Sequence, residues 1–212
     1  MAKKKKQSMI KDAIILCMIS LIAALALGFV NELTKDRIAQ LAAEAKAEAY
    51  REVFPEADQI IEASGSDILA KTMEEADTIL ANGGFSNVTL DEVCLVNDAS
   101  GNCIGYVASV TLKAYDTMTL TFGYTTDGVV TGLAFLSIKE TPGIGMKADE
   151  PAFKDQFVDN KADSLVAVKS GAGAGEINAI SGATFTTDGV IKGVNAGICF
   201  MKELQTRLGG AN

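Results

Sequence analysis

Residues 88–138 read VTLDEVCLVNDASGNCIGYVASVTLKAYDTMTLTFGYTTDGVVTGLAFLSI and decide the fold. They contain four runs rich in β-branched and aromatic residues, in which apolar and polar positions alternate. The runs cover 88–96, 103–112, 117–124 and 129–138, and turn-forming residues separate them. Because strands joined by such short turns usually pair with their neighbours in the chain, the sequence predicts an antiparallel meander.

Helical patterns lie on both sides of this block. Before it, Thr34 to about Phe54 has apolar residues at helical spacing, with Thr34 as a cap and Pro55 after the end. We expect this helix to pack on the domain as well as to connect it. After the block, the sequence predicts a helix near Pro151–Val158, a short strand at 164–169 and a helix from about Asp188 to Leu208. Strands flanked by helices in this order predict an α+β domain.

The N-terminal part contains an uncharged run, Ala13–Val30, with the sequence AIILCMISLIAALALGFV. As a helix its 18 residues rise about 27 Å, close to the thickness of a bilayer's hydrocarbon core. The run therefore predicts one transmembrane helix. A cleavable signal peptide is the alternative, since Ala24-Leu25-Ala26 fits a cleavage site, but the run continues past it to Val30.

The charges around this run predict its orientation in the cell (inner) membrane. Five lysines precede it, at positions 3–6 and 11, whereas the basic residues just after it are balanced by acidic ones. The positive-inside rule then places the N-terminus in the cytoplasm and the chain after Asn31 outside it. The predicted parts are a cytoplasmic N-terminus (1–12), the transmembrane helix (13–30), a connecting helix (31–55) and an extracytoplasmic domain (56–212).

The composition excludes several kinds of function. The chain has no histidine, the commonest metal ligand and general base, so we expect neither a metal site nor a catalytic triad. Its 27 acidic residues outnumber its 19 basic ones, and five of the lysines precede the apolar run, so we expect no nucleic acid partner. The four cysteines form no metal-binding pattern. Cys94 and Cys103 flank a hairpin turn, where we favour two half-buried thiols over a disulfide.

The segment Ser181–Thr187, SGATFTT, is the strongest functional signal in the domain. Small residues precede Thr184, and Thr186, Thr187 and Asp188 are N-cap types at a predicted helix start. A phosphate esterified to Thr184 would lie beside unpaired N–H groups at the positive end of the helix dipole. An ordinary capped helix after a turn is the alternative interpretation.

Two further segments are rich in glycine. Residues 170–175, SGAGAG, superficially suggest a dinucleotide-binding loop, but Glu176 stands where the third glycine should be and no βαβ unit follows. We interpret them as a flexible loop. In residues 140–145, ETPGIG, Pro142 fixes a turn, while Gly143 and Gly145 permit positive φ and a close approach of backbone N–H groups to a ligand.

These motifs together resemble the FMN-binding domain family. The chain is similar to the RnfG proteins of the Rnf electron-transport complexes in several segments. These are the paired segments 140–145 and 181–184, the lead-in Ile177–Ile180, residues 31–34 and the apolar run. The related NqrC proteins of sodium-pumping NADH:quinone reductases are the alternative within the family. The short chain favours the RnfG proteins.

The resemblance implies a membrane-anchored flavoprotein. In the family, FMN is joined through a phosphodiester to the threonine that matches Thr184, by a dedicated flavin transferase. The FMN relays electrons between other membrane subunits of an ion-translocating ferredoxin:NAD oxidoreductase, so we expect no catalytic residue on this chain alone. The coupling ion, Na⁺ or H⁺, stays open. The predicted cofactor-binding residues are Thr184, Ser181, Gly182, Ala183, Glu140, Thr141, Gly143 and Gly145. A membrane-anchored binding or assembly module without a redox group is the alternative from a different class.

The chain departs from the family pattern at two places. The family usually has an acidic residue six positions before the modified threonine, where this chain has Asn178. Members often have a histidine near the loop that matches residues 140–145, where this chain has Ile138-Lys139. The second departure argues against acid–base chemistry there.

Overall fold

The computed structural model describes residues 2–161 and 163–209. For residues 2–10 and Ser64 it describes the backbone only, so the lysines at positions 3–6, whose charges predict the orientation, lie outside the described side chains. The first predicted part of the chain begins at residue 1, and the last one ends at residue 212. Residue 1 and residues 210–212 also lie outside the described residues.

The described residues form five α-helices and eight strands. The helices α1–α5 are Ala2–Val53, Asp67–Glu74, Ala76–Asn82, Pro151–Lys154 and Thr184–Gly209. The strands β1–β8 are Gln59–Ile61, Val88–Asn97, Cys103–Lys113, Thr117–Thr125, Val129–Ile138, Asn160–Lys161, Val166–Val168 and Glu176–Asn178. Short 3₁₀ helices cover Ala63–Gly65 and Gly145–Asp149.

A six-stranded antiparallel sheet is the centre of the domain. Its strands lie in the order β1-β2-β3-β4-β5-β6, so consecutive strands pair throughout. The predicted meander is confirmed, with each of its four strands within one residue of the predicted end. A separate parallel pair joins β7 to β8. The fold is α+β, as the sequence predicts.

The main core lies between the sheet and α5. Leu120 and Phe122 of β4 are fully buried there with Val194 and Ile198 of α5. The alternation of β4 places these two strand residues on the same face of the sheet. Burying an apolar side chain of this size contributes about 1.5–3 kcal/mol relative to its exposure, so this layer carries much of the domain's stability.

Three glycines spaced four residues apart let α5 lie unusually close to the sheet. A Cβ at Gly189 would lie 2.6 Å from Cβ of Ala114, and one at Gly193 would lie 2.5 Å from Cδ2 of Leu112. A Cβ at Gly197 would likewise meet the ring of Phe122. The glycine row therefore fixes the N-terminal end of α5 beside the β3–β4 turn, which residues 114–116 form.

The last turns of α1 pack on the opposite face of the sheet. Tyr50 and Val53 are buried against residues that include Val107 and Ala134, and Thr131 Oγ1 donates a hydrogen bond to the carbonyl of Val53. The expected packing of residues 34–54 on the domain is therefore right for the last turns.

Helix α1 is continuous, whereas the sequence predicts a membrane span followed by a second helix. No proline interrupts it, and Thr34 Oγ1 donates to the carbonyl of Val30 at 3.0 Å, so Thr34 is an interior residue and not a cap. Ile38 and Leu41 are exposed, and the expected packing of this part on the domain stays a prediction. The chain divides into two compact units between Ala45 and Lys46.

The N-terminal helix is long and apolar enough to cross a membrane. From residue 11 onwards it contains an 18-residue window of mean hydropathy 2.8. Length and composition thus support a membrane anchor. The boundaries at 12, 30 and 55 stay predictions.

The cysteines do not face each other across the β2–β3 hairpin. Cys94 lies opposite Val107, whereas Cys103 lies opposite Asn97, and the described cysteines are free thiols. Cys94 is fully buried, which raises the pKa of its thiol to about 12, whereas Cys103 is exposed. We expected both thiols to be half-buried, and this was wrong, because Cys94 is buried and Cys103 is exposed.

The glycine row yields a test of the packing. We expect Gly189→Ala to destabilise the protein by about 1–2 kcal/mol, because the clash with Ala114 outweighs the better helix propensity of alanine. Gly209→Ala, on the same helix with no atom within 4 Å of the added Cβ, is the control. Denaturant unfolding of both variants checks this, and equal midpoints would contradict the close approach.

Candidate functional site

Helix α5 begins at Thr184, four residues before the predicted start at Asp188. The prediction assigned a capping role to Thr187, but its hydroxyl lies inside the first turn. There it donates to the carbonyl of Ala183 at 3.0 Å and accepts from the N–H of Ile180 at 3.1 Å. Thr187 thus holds the turn before the helix, in which Gly182 has a φ of +79°.

Thr184 offers a free hydroxyl at the N-terminus of α5. Its side chain is exposed and has no hydrogen bond to the described residues. The N–H groups of Thr184, Phe185 and Thr186 have no acceptor in the described chain, as is usual for the first turn of a helix. No acidic residue of α5 itself lies in this turn, where the positive end of the helix dipole attracts anions. The arrangement suits a phosphate group.

The other two threonines of the segment differ from Thr184 in their burial. Thr186 is 2% exposed and its hydroxyl donates to Glu140, while Thr187 is fully buried and bonded as described above. Their hydroxyls are thus covered and engaged in hydrogen bonds. Of the three, only Thr184 presents an accessible oxygen.

The loop of residues 140–145 uses its two glycines differently. The N–H of Ile144 donates to the carbonyl of Thr141 at 3.2 Å, with Pro142 and Gly143 as the central residues. Gly143 has a φ of +74°, as a type II turn requires at this position. Gly145 does not have positive φ, so the expectation of positive φ holds for Gly143 alone.

Gly145 instead provides space between two segments. It is buried, and a Cβ there would lie 2.6 Å from Oε2 of Glu140 and 2.9 Å from Oγ1 of Thr186. The backbone at Gly145 therefore packs directly on the side chains that link the loop to α5.

Glu140 joins three parts of the fold. Its Oε1 accepts a hydrogen bond from the N–H of Asp116 in the β3–β4 turn at 3.3 Å. Its Oε2 accepts one from Thr186 Oγ1 in the first turn of α5, also at 3.3 Å. The glutamate is 6% exposed. One buried side chain thus connects the turn, the loop and the helix start.

These three parts line a partly open pocket of about 310 Å³, which we call the Thr184 pocket. It brings together six of the predicted site residues, namely Glu140, Thr141, Gly145, Gly182, Ala183 and Thr184. Ser181 and Gly143 belong to the same two segments but do not line it. The pocket is also lined by four residues that the sequence analysis did not identify as cofactor-binding, namely Tyr115, Ile144, Phe185 and Thr186.

Three of these four residues, Tyr115, Ile144 and Phe185, give the pocket an apolar rim. Phe185 is 76% exposed, Tyr115 73% and Ile144 45%, although large apolar side chains usually avoid water. The signal for Phe185 was its position directly after Thr184, where an exposed helix start normally carries a polar residue. Tyr115 had no such signal, because only the fold brings it to the pocket.

The glycine-rich residues 170–175 lie outside this pocket. Three of their N–H groups donate to side-chain oxygens of Asn160, Glu176 and Asn178, at distances of 2.8, 3.0 and 3.1 Å. The donors that a dinucleotide loop would direct at phosphates are therefore already engaged. These bonds connect the segment to its surroundings, and the expected flexibility of the loop stays a prediction. Asn178, at the position where the family has an acidic residue, serves here as an internal hydrogen-bonding group.

Two family models match separate parts of the sequence. The FMN-binding domain matches residues 114–198, a range that contains all three segments of the Thr184 pocket. The RnfG N-terminal region matches residues 1–53. The fold and the site thus define an FMN-binding domain attached to an apolar N-terminal helix.

Curated relatives give the finer assignment. The RnfG protein of the Na⁺-translocating ferredoxin:NAD⁺ oxidoreductase complex of Acetobacterium woodii is 31% identical over 194 residues, which are 89% of each chain. Its counterpart in the proton-translocating complex of Clostridium ljungdahlii is 37% identical over 108 residues, 50% of this chain and 57% of the relative. The chain belongs to the RnfG family of ion-translocating oxidoreductase (Rnf) complexes. This confirms the predicted resemblance and, with it, the function of a flavoprotein electron-transfer subunit.

The alternative within the family is less supported. The NqrC protein of the Na⁺-translocating NADH-quinone reductase of Vibrio anguillarum is 39% identical over 75 residues, but these are 31% of this chain and 29% of the relative. The likeness is thus local, whereas that to the Acetobacterium woodii protein extends over most of the chain.

Proposed function

We propose that the chain carries FMN covalently, through a phosphodiester at Oγ1 of Thr184, and relays electrons between neighbouring membrane subunits of an Rnf-type complex. The observation that carries this proposal is the free, exposed hydroxyl of Thr184, which lies at the pocket and beside unpaired N–H groups. The relatives named above belong to ferredoxin:NAD⁺ oxidoreductase complexes, which supports the place of this chain in such a complex.

The residues around Thr184 fit the two chemical parts of FMN. The N–H groups at the start of α5 are suited to the phosphate. The apolar rim formed by Tyr115, Ile144 and Phe185 is suited to the planar ring and excludes water from its face. Bound FMN supplies the redox chemistry, while the protein fixes its position and its electrostatic surroundings.

The covalent bond requires a maturation partner, which we propose to be a flavin transferase. Ser181 and Gly182 are exposed and small, so a second protein has access to the hydroxyl of Thr184. Covalent attachment keeps the cofactor on the protein whatever its noncovalent affinity. This matters most outside the cytoplasm, where we place the domain, because free FMN would be lost there.

Ion translocation belongs to other parts of the complex. The apolar run at 13–30 contains no charged residue and offers no ion coordination or proton relay. The relatives include Na⁺-translocating and proton-translocating complexes, so family membership does not fix the coupling ion.

The attachment site is tested by Thr184→Ala in the full-length chain, expressed with the flavin transferase. We expect complete loss of the flavin fluorescence that stays with the polypeptide in a denaturing gel, because the acceptor oxygen is removed. Thr206→Ala, an exposed threonine on the same helix, should keep one FMN per chain. Intact-mass analysis that still finds one FMN on Thr184→Ala would refute the assignment, and a wild-type chain without FMN would favour a non-redox module.

The orientation is tested by labelling introduced cysteines in whole cells with a reagent that does not cross membranes. In a background with Cys103 and Cys199 replaced by serine, Asp58→Cys should react, because Asp58 is exposed on the domain. Ser8→Cys should react only after the cells are opened. The reverse pattern would place the flavin domain in the cytoplasm.

The role of the 140–145 loop is tested by Gly143→Val. Valine has open space there but cannot easily adopt the φ of +74°, which costs on the order of 1–3 kcal/mol. We expect the variant to keep covalent FMN, because the transferase would recognise residues 181–184. Its ring should be more exposed, as measured by iodide quenching of flavin fluorescence, and ferredoxin-dependent NAD reduction in membranes should be slower.

Gly101→Val is the matched control for this prediction. Gly101 has a φ of +83° and equally open surroundings, but it lies in the β2–β3 hairpin turn and not at the pocket. It should cost similar strain without changing the quenching. If Gly143→Val behaves like this control, the loop is a surface turn with no role in holding the ring.

A further inference from the structure

We propose that the carboxylate of Glu140 is a fixed negative charge that lowers the reduction potential of the bound flavin. The proposal rests on the function proposed above, since it requires FMN in the Thr184 pocket. It assigns to this side chain an electrostatic role in addition to its structural one.

Glu140 lacks the partners that a buried carboxylate normally has. It is 6% exposed, yet no lysine or arginine of the described chain forms an ion pair with it. Its two hydrogen bonds, from Asp116 N–H and Thr186 Oγ1, are both 3.3 Å long, whereas an ionised carboxylate accepts up to about four. Burying a charge without a counter-charge is costly, so such a group is a candidate for function.

Another partly buried carboxylate of the same domain, that of Glu92, has a lysine as its counter-charge. Glu92, on the opposite face of the sheet, pairs with Lys46 and accepts a hydrogen bond from the hydroxyl of Tyr50 at 3.0 Å. Two lysines, Lys139 and Lys147, are close to Glu140 in sequence, but both are exposed and form no ion pair with the described residues. Glu140 is thus left without a cation although cations are nearby in the chain.

The carboxylate is also held in place. Because the backbone at Gly145 packs against it, with room for no Cβ, the side chain has little freedom to turn away. It lines the Thr184 pocket, and because the glutamate is only 6% exposed, little water contacts its charge. In such surroundings a charge acts more strongly than in water.

The effect on the flavin follows from charge balance. Reduction takes two electrons from a donor, an electrode in the test below, together with one or two protons from solvent. When one proton is taken up, the reduced ring keeps a negative charge, which the Glu140 carboxylate disfavours. The oxidised form is neutral in its ring and experiences no such repulsion. Where the reduced ring keeps this negative charge, the carboxylate therefore makes it harder to reduce, which suits an electron carrier linked to ferredoxin.

The experiment is spectroelectrochemical titration of the full-length, flavin-loaded protein in detergent. Glu140→Gln keeps the shape and removes the charge, and we expect at least a tenfold shift of the equilibrium towards the reduced flavin. For a two-electron couple this is a rise of about 30 mV in midpoint potential. Glu150→Gln, which removes an exposed carboxylate shortly after the loop, is the matched control and should leave the potential unchanged.

A second variant separates charge from packing. Thr186→Val removes the hydroxyl that donates to Oε2 but leaves the carboxylate, so it should lower the potential or leave it unchanged. A rise in Thr186→Val equal to that in Glu140→Gln would show that disturbed packing causes the shift, and would overturn the proposal.

The remaining outcomes are also decisive. An unchanged potential in loaded Glu140→Gln overturns this inference and leaves the attachment at Thr184 intact. A folded Glu140→Gln chain without FMN, beside a loaded Glu150→Gln chain, also overturns it, because the carboxylate would then serve attachment. A wild-type chain without covalent FMN would instead refute the proposed function itself.

Discussion

The close approach of α5 to the sheet is the constraint on which the site depends. Gly189, Gly193 and Gly197 present no side chain to the sheet, so at these three positions the helix backbone rests directly on the side chains of Ala114, Leu112 and Phe122. This contact sets the helix N-terminus against the β3–β4 turn. In that position Glu140 contacts both Asp116 and Thr186, and Thr184 lines the pocket.

The residues around this contact are of two kinds, buried ones that hold the structure and exposed ones at the pocket. Buried hydroxyls and the Glu140 carboxylate build the framework, while Thr184, Tyr115 and Phe185 are left exposed. The exposed group combines an oxygen nucleophile with apolar surface, which is a costly combination for a surface that binds nothing. The FMN site that we propose at Thr184 would explain this combination.

The four strands of the meander were predicted well from the sequence. Alternating apolar residues and turn residues are local signals, and the strands form where these signals predict them. The predicted start of α5 was wrong, because Thr187 uses its hydroxyl to hold the preceding turn, a role that its N-cap preference does not reveal. The sequence predicts Thr184 and Glu140 as cofactor-binding residues, from their local segments and from the resemblance of the two motifs to the family, and this assignment stays a prediction. The burial of Glu140 and the contribution of Tyr115 depend on tertiary contacts, and no local pattern encodes them.

The position of α5 in the chain has a consequence for biosynthesis. This helix follows every strand of the sheet in the chain, so it leaves the ribosome after them, and it covers the apolar face of that sheet. Until it docks, that face is open to aggregation and to proteases. A chain that stops just before Phe200 would keep every residue of the pocket, yet lose Phe200, Met201 and Leu204 from the core. Such a truncation would impair folding, although every site residue would still be present in the sequence.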